Sequence, residues 1–202
     1  MLKHSTPHHT REGLGGGSYT MIYLFLATGA EEIEALATVD ILRRAGLSVE
    51  IVSITNNRMV TGAHGIRVEA DSLLKDVEFF DAEMLILPGG MPGATNLAAC
   101  DDLIERIRDH VYLGRPVAAI CAAPLVLGRM GLLEGKRATC YPGFEGELKG
   151  ATCTGALVEQ DGLFITGKGP AAAFEFGYTI VERLKDKATA DALREGMLYT
   201  ER

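Results

Sequence analysis

The sequence has no histidine beyond His110. All five imidazoles, His4, His8, His9, His64 and His110, precede Cys121, so none follows the most conspicuous thiol. A papain-like or amidotransferase-like triad needs an imidazole beside its sulfur, and this order speaks against one. The four cysteines (Cys100, Cys121, Cys140 and Cys153) contain no CxxC pair and no zinc pattern, and no histidine–carboxylate spacing suggests a metal site. Neither a metal nor another cofactor is expected, and reduced thiols point to a cytoplasmic location. No long basic run exists, and the net charge of −7 argues against nucleic acid or an anionic membrane surface as partner. No stretch approaches the length of a membrane span. The run from Met21 to Ala27 is short, has no small-residue cleavage site after it, and is followed by Glu31 and Glu32; it reads as a strand, not a signal peptide. There are no internal repeats and no linker.

What is present fits one globular domain. At 47% hydrophobic and 23% charged, a 202-residue chain can bury a substantial core without disulfides or metals. The first twenty residues, MLKHSTPHHTREGLGGGSYT, are polar, rich in His and Gly, and aperiodic. They read as a disordered leader, a cloning scar or a misassigned start, leaving 21–202 as the domain.

Apolar runs alternate with amphipathic ones. Met21–Thr28, Val49–Ile54, Met84–Leu87, Pro116–Ile120 and Lys136–Tyr141 read as strands, and Gly155–Gln160 with Leu163–Thr166 as a hairpin about Asp161-Gly162. Glu31–Ala45, Asp101–Leu113 (begun as early as Ala94), Ala122–Leu133, Pro170–Leu184 and Asp186–Leu198 read as helices. Between them, Asn56–Asp71 is punctuated by Asn and Gly and predicts a hairpin excursion, and Asp71–Val77 a short helix or turn. The pattern predicts an α/β fold, a mostly parallel sheet with helices on both faces and its site at the carboxyl ends of strands.

Cys121 sits where the strand Pro116–Ile120 gives way to a helix. Unpaired N–H groups and the dipole of a helix start favour a thiolate, the arrangement of a nucleophile elbow built on sulfur. The plainer alternative is a small core residue in an apolar strand. Glu34 lies among apolar neighbours one turn into the first helix, where burial raises a carboxyl pKa and suits it to hold and donate a proton. Glu31 and Glu32 read only as first-turn carboxylates. Gly89 and Gly90 make either a tight turn or a backbone donor site, Gly90 N–H joining Ala122 N–H as an oxyanion hole. Gly167–Pro170 reads first as a helix start, His110 as solvated, and His64 has no assigned role.

Four stretches together resemble the DJ-1/ThiJ/PfpI superfamily, in its DJ-1/YajL-like branch: AICAAP at 119–124, LPGGMPGATNL at 87–97, GAEEIEALATVDILRRAG at 29–46 and GKGPAAAFEF at 167–176. The resemblance spans 21 to about 185, and in it Met21 resembles the natural start. It implies a flavodoxin-like sandwich, a homodimer, Cys121 as the reactive cysteine, Glu34 as its protonated partner, and Gly90 and Ala122 as backbone donors. It further implies cofactor-free action on a small aldehyde or glycated substrate, of glyoxalase III or deglycase type, or a redox-sensing or chaperone role. Ala122 stands where the protease-like branch has histidine, which makes peptidase activity unexpected. Tyr141, before Pro142, stands where the DJ-1 type often has histidine, and a phenol is the weaker base near neutral pH. Gly89, Tyr141 and His64 are therefore carried as accessory candidates.

Overall fold

The computed structural model describes residues 20–199, so all but the last residue of the expected leader lies outside it. Strands β1 (Met21–Leu26), β2 (Val49–Ser53), β3 (Met59–Thr61), β4 (Arg67–Glu69), β5 (Ser72–Leu73), β6 (Ala82–Leu87), β7 (Val117–Ile120), β8 (Arg137–Ala138), β9 (Thr152–Cys153), β10 (Val158–Asp161) and β11 (Phe164–Gly167) alternate with helices. The helices are α1 (Glu32–Arg44), α2 (Gly93–Ala98), α3 (Asp101–Tyr112), α4 (Pro124–Arg129), α5 (Ala173–Leu184) and α6 (Lys187–Gly196).

Seven strands form one sheet in the order β10-β11-β7-β6-β1-β2-β5, parallel except for β10. Alternate residues of its central strands enter two separate cores, as period-2 side-chain geometry requires. Ile22, Leu24, Met84, Ile86, Ala118 and Ile120 pack with α1, α5 and α6. Tyr23, Phe25, Leu85, Leu87, Val117 and Ala119 pack with α2, α3 and α4. Burial on both faces explains why these strands read as continuous apolar runs. The chain passes from β1 outward to β2 and β5, then returns to β6 on the other side of β1. That reversal is the topological switch point, where crevices open in such sheets.

The excursion after β2 is the antiparallel hairpin β3–β4. Several boundaries differ from the sequence reading. The stretch Asp71–Val77 contributes β5 at the sheet edge before its single turn of 3-10 helix, because Asp71 accepts from Ile51 N and aligns the chain with β2. Of Lys136–Tyr141 only Arg137 and Ala138 are strand, in a separate ribbon with β9. The place beside β7 is taken by β11, and Thr139 is tied instead to Thr166 Oγ1 and Ala156 O. The helix expected over Ala122–Leu133 is confined to Pro124–Arg129. His110 is buried, not solvated: its Nε2–H donates to Pro116 O at 2.8 Å, turning the end of α3 inward.

Candidate active site

β1, β6 and β7 are neighbours, so the loops at their carboxyl ends meet. Glu31 N donates to Gly89 O at 2.9 Å and Gly93 N to Gly29 O at 3.3 Å, joining the loop after β1 to the loop after β6. The approach is close enough that a Cβ on Gly90, whose φ is +88°, would stand 2.4 Å from Glu31 N. Cys121 ends β7 with φ +66°, a left-handed conformation that costs a non-glycine residue about 1–2 kcal/mol. Two backbone bonds hold it there: Cys121 N to Gly167 O at 2.8 Å, and Tyr141 N to Cys121 O at 2.9 Å. This is the sharp strand-to-helix turn of a nucleophile elbow.

Glu34 enters from α1 and is fully buried. Helix α1 is started by Glu31, whose Oε2 accepts from Glu34 N at 2.8 Å. Glu34 Oε2 accepts from Gly89 N at 3.0 Å, and its Oε1 has no nitrogen or oxygen partner. The Cys121 thiol is the carboxyl's other polar neighbour, close enough to act on its titration. Burial, with the negative charge of Glu31 adding to it, raises the Glu34 pKa to about 7 against the pull of those two neighbours.

The thiol does not show the thiolate character expected of a helix start. Burial first, then the charge and hydrogen bond of Glu34, push Cys121 up to about 12, while the N–H groups of Gly90 and Ala122 act in the opposite sense. α4 begins only at Pro124, so Cys121 lies before its first turn and gains little from its dipole. The two shifts describe one coupled pair. With Glu34 ionised, a thiolate would place two negative charges in one dry crevice, so the sulfur keeps its proton. With the proton on Glu34, a thiolate has three donors: the carboxyl O–H and the amides of Gly90 and Ala122.

Gly89 is there for space: a Cβ would lie 2.6 Å from Cys121 Cβ and 2.8 Å from Glu34 Oε2. Tyr141 stands at the rim, 47% exposed, its backbone N on Cys121 O and its ring against Gly169. His64 is not at the thiol. Its Nδ1 pairs with Glu32 Oε2 at 2.8 Å. Glu32 is more than a first-turn carboxylate, since its Oε1 also accepts from His64 N and Ile66 N and so holds the β3–β4 hairpin onto α1. Burial works to raise the Glu32 carboxyl, but the bonds from the ring and amide of His64 and the Ile66 amide hold it below its ordinary value. Glu31, Glu32 and His64 bring ligand-type atoms within 4.8 Å of one another, a grouping across the hairpin that residue spacing did not reveal.

The sequence pattern of the DJ-1/PfpI family matches residues 20–183. The chain belongs to the DJ-1/PfpI family. Among its members, Protein DJ-1 homolog A of Arabidopsis thaliana is 40% identical over 186 residues, 90% of this chain and 47% of that protein. Protein DJ-1 homolog B of the same plant is 42% identical over 82% of this chain and 38% of its own length. The chain thus spans half or less of these two relatives. The glutathione-independent glyoxalase DJR-1.2 of Caenorhabditis elegans is 36% identical over 81% of this chain and 88% of that protein. The structure of oxidized Toxoplasma gondii DJ-1 superposes with a TM-score of 0.86 at 34% identity, covering 90% of this chain and 99% of that one. The flavodoxin-like α/β fold of the family is therefore this chain's fold. Among the described residues no helix is long and apolar enough to cross a membrane.

Proposed function

We propose that the chain is a cysteine-dependent, cofactor-free enzyme acting on small reactive carbonyls, of glyoxalase III or deglycase type, converting methylglyoxal to lactate. The observation that carries this is the buried Glu34–Cys121 pair flanked by the Gly90 and Ala122 amides. The likeness to a glyoxalase from Caenorhabditis elegans supports it.

In this reading the proton of the pair rests on Glu34 as substrate binds, and the Cys121 thiolate attacks the aldehyde carbon. A C–S bond forms, the carbonyl π pair moves to the oxygen held by the two amides, and Glu34 gives that oxygen its proton and becomes a carboxylate. The resulting hemithioacetal loses its carbon-bound proton to the Glu34 carboxylate. The electron pair left behind makes an enediolate, the hydroxyl proton passes to the former ketone oxygen, and the same carboxyl returns its proton to the neighbouring carbon. The aldehyde carbon is thereby oxidised to a thioester while the ketone carbon is reduced to an alcohol. Water then cleaves the thioester, releasing lactate and restoring the thiol. Tyr141, exposed and joined through its backbone N to Cys121 O, would contact substrate without replacing an imidazole as base.

The decisive experiment is methylglyoxal turnover by the wild type, Cys121→Ser and Glu34→Gln. Loss of turnover in both variants is expected; equal rates in all three would end the proposal.

A second reading rests on the same donors. A sulfinate at Cys121 would accept from Glu34 and the two amides, giving a redox-sensing protein or chaperone without turnover. Mass measurement after mild peroxide reads this out, since a selective two-oxygen gain that Cys121→Ser abolishes is required. Four free thiols suit a reducing, cytoplasmic setting. A homodimer would cover Ile33 and Leu36 of α1 and Ile66 beside the hairpin, all exposed and apolar.

A further inference from the structure

We propose that Glu31, Glu32 and His64 form a binding site for a divalent transition-metal ion such as Zn²⁺, one that takes no donor from Cys121 or Glu34. The three donor atoms come from two elements, the start of α1 and the turn of the β3–β4 hairpin. His64 Nδ1 faces both carboxylates, 2.8 Å from Glu32 Oε2 and 3.6 Å from Glu31 Oε1. All three donors lie within 4.8 Å of one another, which an ion with bonds of about 2.0–2.2 Å can span after small side-chain adjustments.

What distinguishes this group from an ordinary exposed ion pair is how its carboxylates are held. Both side chains are buried, and each uses one oxygen on backbone N–H groups. Glu31 Oε2 accepts from Glu34 N at 2.8 Å, and Glu32 Oε1 from His64 N at 2.7 Å and Ile66 N at 3.3 Å. The other oxygen of each is thereby aimed at Nδ1, as outer-shell bonds aim ligands in metal sites. Gly62 completes the frame, for a Cβ there would stand 2.5 Å from the Glu32 carboxyl carbon. The His64 side chain is 68% exposed, so an ion has an entry path and water can fill the fourth position. One imidazole nitrogen and two carboxylate oxygens suit Zn²⁺, Co²⁺ or Ni²⁺ better than Mg²⁺ or Ca²⁺, which favour all-oxygen shells. Binding replaces the Nδ1 proton, leaving a neutral ring protonated at Nε2, and joins both carboxylates to one cation.

The test is calorimetric titration of Zn²⁺ into the full chain carrying Cys121→Ser, alone and with His64→Ala or His64→Arg. The Cys121→Ser background removes the thiol as a ligand, so the result is independent of carbonyl turnover. The arginine variant keeps a cation against both carboxylates, preserving the fold without ligating. Melting curves confirm that each variant is folded. His4, His8 and His9 remain in every sample, so any zinc they bind is common to all. The expected result is loss of about one Zn²⁺ equivalent in both His64 variants, with a Zn²⁺-dependent shift of the His64 ring nitrogens in the parent spectrum. Equal stoichiometry and affinity in all three chains, or His64 nitrogens unmoved by Zn²⁺, overturns the site and leaves a simple Glu–His pair.

Discussion

The Glu34 carboxyl is fully buried, accepts from Gly89 N–H at 3.0 Å and lies beside the Cys121 thiol, which is itself buried. Residue 34 can serve the sulfur only because the β6 loop passes against it without a side chain. The crevice is therefore as much a packing arrangement as a chemical one, and it responds to steric changes as well as to changes of charge.

Gly89→Ala tests the packing. The added Cβ would meet Cys121 Cβ at 2.6 Å, Ile120 O at 2.7 Å and Glu34 Oε2 at 2.8 Å. Two of these neighbours belong to the proposed reacting pair, and the third is backbone that β7 holds in the sheet. The cost should fall in the overpacking range of about 1–3 kcal/mol. A lower urea midpoint at unchanged slope measures it, and thiol reactivity should fall in the same variant because Glu34 is displaced. A wild-type midpoint would show the crevice to be roomier than described.

The pH dependence of alkylation tests the proton sharing. Glu34 has its pKa raised to about 7, and Cys121 is pushed up to about 12 largely by burial and by the ionised carboxylate. The pair loses its first proton near the lower value, and the resulting single charge is partitioned between oxygen and sulfur. Iodoacetamide should therefore react with the wild type in two steps, a first rise near neutral pH and a second far into alkali. Glu34→Gln should abolish the lower step and keep one rise, delayed by burial. A single wild-type step at the pKa of an ordinary thiol would contradict the coupling.

The backbone at Cys121 carries its own signature. At φ +66° the residue is strained as any non-glycine is, so Cys121→Gly should be more stable than Cys121→Ala by about 1 kcal/mol. In ordinary backbone the order is reversed. Denaturant midpoints of the two variants decide it, and an alanine variant equal to or above glycine would remove the strain.

Much of this was legible in residue order alone. The apolar runs of β1, β6 and β7 announced a doubly covered sheet because each strand feeds both cores, and the Asn and Gly punctuation of 56–71 announced the hairpin. Glu34 and Cys121 stood out by position, one within a helix pattern and the other at a strand end. What was not legible depends on neighbours distant in the chain. The left-handed turn at Cys121 is fixed by Gly167 O and Tyr141 N, and no local preference signals it. The elevated thiol pKa follows first from burial and then from an acid brought in by another element. The grouping of His64 with Glu31 and Glu32 exists only once the hairpin folds back over α1. His110 misled for the same reason: a polar helix end suggested solvent, but Pro116 O supplies a buried partner.

That buried imidazole gives the molecule an acid-sensitive element away from the thiol. Burial, the dominant cause, lowers His110 from 6.5 to about 4, with the nearby Arg115 charge adding to it, although the bond to Pro116 O acts in the opposite direction. Between those two values the unfolded chain binds a proton that the folded chain refuses. The stability this residue contributes is thus complete above about pH 6.5 and is lost as pH falls toward about 4, with a slope approaching 1.4 kcal/mol per pH unit. His110→Gln can keep a donor to Pro116 O without titrating. The gap in melting temperature between wild type and His110→Gln should therefore shift in favour of the glutamine variant as pH is lowered from 7 to 5. A gap constant over that range would mean that His110 takes up its proton in place, and that Pro116 O accepts from an imidazolium.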